Sequence, residues 1–316
     1  MDLIYFSDFH GSHAKPPRRI DEDFVKTQIS KLTEILDFAC DNKVEKILFG
    51  GDFFHSFSPA FFFFHEVCKV FSKYRKKNPK LFPIESCIGT ASHDLEGGAE
   101  SSSVFSAIFL LETLEFFSFS RRLSFGDRLF LVKLHAHQEL KEVHGEKFNE
   151  DSAKIYRFRI LMAHHQFLPS GNFPFPGTDT QTFETFYDLV LCSHFHHPFE
   201  VKRKNTTFLN PGCLVRRRSD ETHKPSFYVI SLTGKGLEYK KIELKSGKPY
   251  EEVFMSEKDV NIEKYKDFLE AFKCGLVSQD FESLLKESME YLKLNDIEVR
   301  NKILKEFEKL SVSCKV

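Results

Sequence analysis

The chain has 316 residues, 41% of them hydrophobic, with 45 basic against 46 acidic side chains and a formal net charge of -1. That length suits one large domain or two modest ones with a sizeable core, and the balanced charge excludes a nucleic-acid binder acting through bulk positive charge alone. The seven cysteines are odd in number and form no CxxC pair, which excludes a disulfide or zinc framework and reads as reduced thiols.

Short apolar runs at 3–10, 46–55, 83–89, 128–137, 159–165, 188–194 and 206–212 predict strands. Between the first two, Phe24, Val25, Ile29, Leu32, Ile35, Leu36 and Ala39 recur at helical spacing, predicting a helix over 21–40 capped by Asp21 or Asp23. A second helix is predicted from a Ser58 cap, with Pro59 in its first turn, through Phe61–Phe64 toward Tyr74. A third is expected over about 104–116. Strands alternating with helices argue for a layered α/β core. After residue 224 a Thr-Gly-Lys-Gly turn between two strand-like runs predicts a β-hairpin. From 257 to 316 apolar stripes such as Ile262, Tyr265, Phe268, Leu269 and Phe272 predict helices that pack on their own domain or dock a partner.

No apolar run reaches the roughly 18 residues of a membrane span. The chain opens on a strand-like run without a basic-then-apolar leader, so the expected location is cytoplasmic. Basic clusters occur at Arg18-Arg19, Lys73–Lys77, Lys202–Lys204 and Arg216–Arg218, each readable as a solvated face or a phosphate track.

The polar residues that close the strands carry the chemistry. Asp8 and His10 follow the first, and Asp52 and His55 the second. His93 and Asp94 follow the third, His164 and His165 a later one, and His194, His196 and His197 the next. Ligands of open α/β sheets gather outside the carboxyl ends of strands. Mixed carboxylate and imidazole donors suit divalent manganese, iron or zinc. Asp52, behind the Gly50-Gly51 turn, is best placed to bridge two cations, and alternation would let His194 and His196 face one centre. Two cations about 3.5–4 Å apart lower the pKa of water toward about 7 and clamp phosphate oxygens during in-line attack. His13, His65, His135, His137, His144 and His223 are read as ordinary surface or core histidines.

The motifs SDFH, GGDFFH, SHD, AHH, SHFHHP and NPGCLVRR, in this order, resemble the calcineurin-like metallophosphoesterases. Within them, residues 1–256 are most similar to the nuclease subunit of SbcCD, the meiotic-recombination-eleven type. The resemblance implies a four-layer αββα sandwich over 1–220, a small β-rich cap over 221–256 and a helical tail over 257–316. It implies two cations, manganese first with iron or zinc as alternatives. Asp8, His10, Asp52 and His196 would hold one; Asp52, His164 and His194 would hold the other. It implies His93 as general acid, with His55 contacting the substrate phosphate. DNA would be the substrate, in repair or recombination, and an SbcC-like coiled-coil ATPase would dock on the C-terminal helices. The phenylalanine-bearing helix after Ser58 offers a homodimer face.

Three positions depart from the resemblance. Ser92 stands where an asparagine usually ligates the second metal, implying contact through water and a higher manganese requirement. Ser193 replaces a glycine, and Cys213 a serine. Asp94 either orients His93 or caps the following turn. Two alternatives stay open: a phosphomonoesterase on the same fold, and a non-enzymatic scaffold with an impaired metal site.

Overall fold

Alternation along the first strand sets the architecture. In β1 (Asp2–Phe6), Leu3 and Tyr5 join one buried cluster and Ile4 and Phe6 another. A strand buried on both faces has to lie inside a layered fold. The computed structural model describes residues 1–90, 92–95, 106–125, 129–136, 156–171 and 173–255. The helices expected over 257–316 lie outside the described residues, as do His137 and His144.

Helix α1 (Phe24–Asp41) buries Phe24, Leu32, Ile35, Leu36 and Ala39, and the Asp23 side chain caps it by accepting from Lys26 N at 2.8 Å. Asp21, the other expected cap, is clamped by Arg19 at 2.6 and 2.8 Å. After β2 (Lys46–Phe49) comes α2 (Phe61–Lys77), which starts behind Ala60 without a side-chain cap; Ser58 is not its cap. Packing sets this start. Phe63, Val67, Phe71 and Tyr74 form the buried face. A Cβ on Gly11 would stand 2.8 Å from the Phe63 ring, so the bare glycine makes room for the first turn.

β3 (Ile84–Ser86), α3 (Ala107–Thr113) and β4 (Phe117–Ser118) follow. Then come β5 (Arg122–Phe125), β6 (Leu129–Leu134), β7 (Phe158–Leu168), β8 (Thr178–Asp179) and β9 (Leu189–Ser193). The described chain continues through β10 (Phe199–Arg203), β11 (Thr206–Asn210), β12 (Ser226–Thr233) and β13 (Gly236–Glu243). The four strands not expected from sequence, β4, β5, β8 and β10, are short, and none is buried throughout.

Two sheets form. The first runs β13-β12-β1-β2-β3-β4, and the second β10-β11-β9-β7-β6-β5 with β8 beside β7. Strands β1 to β4 are mutually parallel, as are β6, β7, β9 and β11. Leu3, Tyr5 and Leu48 of the first sheet meet Leu131, Met162 and Leu191 of the second in the core between them. The Tyr5 hydroxyl donates across this core to Cys192 O at 2.7 Å. A buried ion pair also crosses it, Lys133 Nζ to Glu85 Oε2 at 3.1 Å. The three helices pack on the outer face of the first sheet; Phe183, Phe186 and Tyr187 cover the outer face of the second.

The hairpin expected as a cap is instead the edge of the first sheet. β12 pairs antiparallel with β1, Ser231 opposite Asp2, and β13 pairs with β12. Residues Met1–Met255, the hairpin among them, form one compact unit.

The basic clusters are largely absorbed into structure. Arg19 and Arg216 are buried, Lys77 faces Asp37 and Asp41, and Arg218 pairs with Asp220. Cys40, Cys68, Cys87, Cys192 and Cys213 are free thiols. No helix among the described residues is long and apolar enough to cross a membrane.

Candidate metal centre

The loops after β1 and β2 are stitched together by backbone. Asp8 N donates to Gly51 O at 3.1 Å, His10 N to Asp52 O at 3.0 Å and His55 N to Gly11 O at 3.0 Å. Asp8, His10, Asp52 and His194 all have left-handed backbone, with φ of 51°, 46°, 55° and 72°. Such conformations cost non-glycine residues on the order of 1–3 kcal/mol each and collect at functional sites. Here they turn side chains off the strand ends into one space.

Four clusters of donor side chains occur among the described residues, His10 with His55 and His93 and His196 with Cys213 and Glu221 being two of them, and the other two hold the expected ligands. Ligand atoms of Asp8, His10 and His196 lie within 4.8 Å of one another, and so do those of Asp52, His164 and His194. His10 Nε2 and His196 Nε2 approach to 2.9 Å. Two ring nitrogens that close suit a shared cation better than each other. Asp52 joins the groups: its Oδ2 lies 3.8 Å from His10 Nε2 and 3.4 Å from His164 Nε2. All six ligand residues expected from the resemblance are therefore brought together. His194 and His196 serve different groups, however. β9 ends at Ser193, and the left-handed turn at His194 breaks the alternation that would have aimed both at one centre.

Two of the four histidines, His164 and His196, are oriented from behind. In β7 the register slips between Ala163 and Gln166, so His164 and His165 form a bulge. His164 turns inward and its Nδ1 meets Gly50 O at 2.9 Å, leaving Nε2 for Asp52. His165 meets the Thr178 hydroxyl at 2.8 Å, and His197 lies 3.6 Å from Asp220; both are neighbours of ligands and belong to neither group. Ser193 places its hydroxyl 2.7 Å from Gly50 O and 3.0 Å from Ala163 O, tying together the loop and strands that carry Asp52, His164 and His194. The Asn-Pro-Gly loop supports His196. Asn210 donates to Phe195 O at 2.6 Å and Cys213 N to His196 O at 3.0 Å, while Gly212, at φ 74°, passes where a Cβ would meet His196 O at 2.7 Å.

Sequence reasoning missed two residues. Glu221 is fully buried and accepts from His196 Nδ1 at 2.5 Å, from Arg217 N at 2.5 Å and from Arg218 N at 3.0 Å. Burial raises its pKa, but the His196 contact and these backbone donors override that and hold it at about 2. A carboxylate behind a ligating imidazole fixes its tautomer and strengthens it as a donor. Glu221→Gln should weaken manganese binding about 10–100-fold, read from a titration of the free ion. The other missed residue is Thr90, whose N–H and hydroxyl reach Asp52 Oδ1 at 2.6 and 3.0 Å.

The SHD motif divides differently from its expected roles. Ser92 is exposed on the turn. Asp94 is buried and accepts from Asp52 N at 3.0 Å, Phe53 N at 3.2 Å and Gly89 N at 2.7 Å, so it braces the Asp52 loop and does not orient His93. His93 is oriented by the carbonyl of His55, 2.8 Å from its Nδ1. Its ring stacks on His55 at 5.0 Å and stands edge-on to His10 at 4.6 Å. His55 itself is pushed down to about 3 by burial and by the Arg217 guanidinium.

Residues 1–235 match the calcineurin-like phosphoesterase superfamily domain. The chain belongs to that superfamily. The double-strand break repair protein MRE11 of Encephalitozoon cuniculi is 22% identical to it over 289 residues, 79% of this chain and 48% of that protein. The chain thus spans about half the length of the curated relative it matches. Similar solved structures include an archaeal phosphodiesterase, 18% identical, covering 77% of this chain and 100% of its own, with a TM-score of 0.39. Another is GAP50, the anchor in the inner membrane complex of Plasmodium, 12% identical, covering 84% and 94%, with a TM-score of 0.45. The chemistry of a calcineurin-like phosphoesterase is hydrolysis of phosphoester bonds.

Proposed function

We propose that this calcineurin-like phosphoesterase is a two-metal phosphodiesterase acting on DNA, the nuclease subunit of an SbcCD-like repair or recombination complex. The observation that carries the reading is Asp52 Oδ2, set between His10 of one donor group and His164 of the other. Asp8, His10 and His196 would hold one cation and His164 and His194 the second, with Asp52 shared and manganese the first candidate. When bound, such a pair supplies Lewis acidity at the phosphoryl oxygens and a nucleophilic water at neutral pH. The nearly complete donor set supports an enzyme over a scaffold.

The chain's own residues supply the rest. His93, oriented by His55 O, holds a proton for the leaving oxygen. His55, neutral at pH 7, offers an N–H to the phosphate. Arg217, half-buried and 3.5 Å from His10 O, brings a guanidinium to the same edge. The Phe195 ring, between His194 and His196 in the chain, clusters with half-buried Phe173 and Phe175 at 5.7 and 6.1 Å. Aromatic surfaces of that kind stack unpaired bases. The 22% similarity to the E. cuniculi double-strand break repair protein supports a DNA substrate and a partner complex in general; in this reading an SbcC-like ATPase would dock on residues 257–316. Exposed Phe61 and Phe62 support a homodimer through α2.

The test is manganese-dependent cleavage of end-labelled duplex and single-stranded DNA by purified protein, with chelated and His93→Ala controls. Bis-p-nitrophenyl phosphate should be hydrolysed in preference to the monoester. Preference for the monoester, with DNA left intact, would assign a phosphomonoesterase instead.

A further inference from the structure

Two hydroxyls line the cavity over His164 and His194, those of Thr90 and Thr178. The Thr178 hydroxyl is engaged by His165 Nε2 at 2.8 Å. The Thr90 hydroxyl donates its proton to Asp52 Oδ1 at 3.0 Å, which leaves its own lone pairs unspent. The Thr90 N–H takes the same Oδ1 at 2.6 Å and the hydroxyl also lies 3.3 Å from Oδ2, so this one residue holds the carboxylate while Oδ2 faces His10 and His164.

The second donor group has one carboxylate, shared with the first, and two imidazoles. Hard divalent cations take more oxygen than that, and a Ser or Thr hydroxyl is an established donor to them in phosphoryl-transfer sites. A hydroxyl that gives its proton to a carboxylate is polarised toward donating its lone pair. Ser92 is exposed and cannot take this place without rebuilding its turn, in which His93 N and Asp94 N both bond to Thr90 O at 3.0 and 2.9 Å.

We propose that Thr90 is a residue of the second cation group, its hydroxyl supplying a neutral oxygen donor while it holds Asp52 in the bridging orientation. This rests on the two-cation reading of the site. It assigns the group's missing oxygen to a residue two positions before Ser92.

The experiment is a titration of the full chain with Mn2+ alone, following the free ion by electron paramagnetic resonance. Wild type, Thr90→Ser, Thr90→Val and Ser92→Ala are compared. Thermal melts without metal show that each variant is folded, and Thr90→Ala replaces Thr90→Val if that one is not. Wild type should bind two ions. Thr90→Val should weaken one site about 10–100-fold and leave the other within a few-fold, Thr90→Ser should bind as wild type does, and Ser92→Ala should change nothing. Unchanged binding by Thr90→Val would overturn the proposal. So would equal weakening of both sites, the result expected if Thr90 only braced Asp52. A wild type that binds fewer than two ions would overturn the two-cation reading itself.

Discussion

Asp52→Asn should abolish binding at both cation sites together, while a change at His196 or His194 should affect chiefly one. Asparagine is the informative replacement because residue 52 has φ 55°, and Asn tolerates left-handed backbone better than nearly any other non-glycine residue. Its side-chain oxygen can still accept from Thr90, so the loop should keep its shape. What goes is the charge. Several kcal/mol of transition-state stabilisation depend on the metals, so cleavage should fall on the order of 10^3-fold or more. Metal content by elemental analysis, beside single-turnover cleavage rates, checks both halves.

Metal loading of the wild type should depend on pH. In the wild-type site burial works against the His164 imidazolium, but Asp52 at 3.4 Å overrides it and raises His164 to about 9. Without metal, the protonated pair contributes stability in full below the ordinary imidazole value of about 6.5 and loses it as pH rises through about 9. A cation entering the second group must displace that proton. Apparent manganese affinity should therefore climb with pH up to about 9, by up to tenfold per unit. Calorimetry in buffers of different ionisation enthalpy would count the proton released. Asp52→Asn removes the counter-charge of His164, so the metal-free variant should lose this pH dependence of stability, read from thermal melts across pH.

The candidate ligands were legible in sequence because each closes an apolar run, and all but His164, which sits at the bulge inside β7, follow the end of a strand, where local pattern also gives spatial position. Asp8, His10, Asp52, His164, His194 and His196 needed only that the strands be parallel neighbours, as β1 and β2, and β7 and β9, are. What was hidden depended on the direction of a side chain or on long-range pairing. Asp94 follows His93, yet its carboxylate turns away to three backbone N–H groups. Glu221 sits in a loop 25 residues after His196, and nothing in Arg-Ser-Asp-Glu marks it as a buried acceptor. The 226–243 hairpin was readable as a hairpin; that it would extend a sheet by pairing with β1 was not, because that pairing spans most of the chain.

His93→Gln should leave both cations bound and still slow DNA cleavage about 10^2–10^4-fold, the range of a lost general acid. His93 belongs to neither of the two groups that share Asp52, so metal stoichiometry should stay at the wild-type value. Glutamine keeps an N–H for the His55 carbonyl, which lies 2.8 Å from the imidazole Nδ1, but has no proton to give at neutral pH. The decisive contrast is the leaving group. A sugar alkoxide is a strong base and needs a proton as its bond to phosphorus breaks; p-nitrophenolate leaves unassisted. The deficit on bis-p-nitrophenyl phosphate should therefore shrink to less than about tenfold, because proton donation contributes little to that reaction. A His93 that only contacted the phosphate, as His55 is read to do, would cost both substrates alike. Equal deficits would assign the pair of stacked histidines to phosphate binding and leave the leaving oxygen to be protonated from solvent.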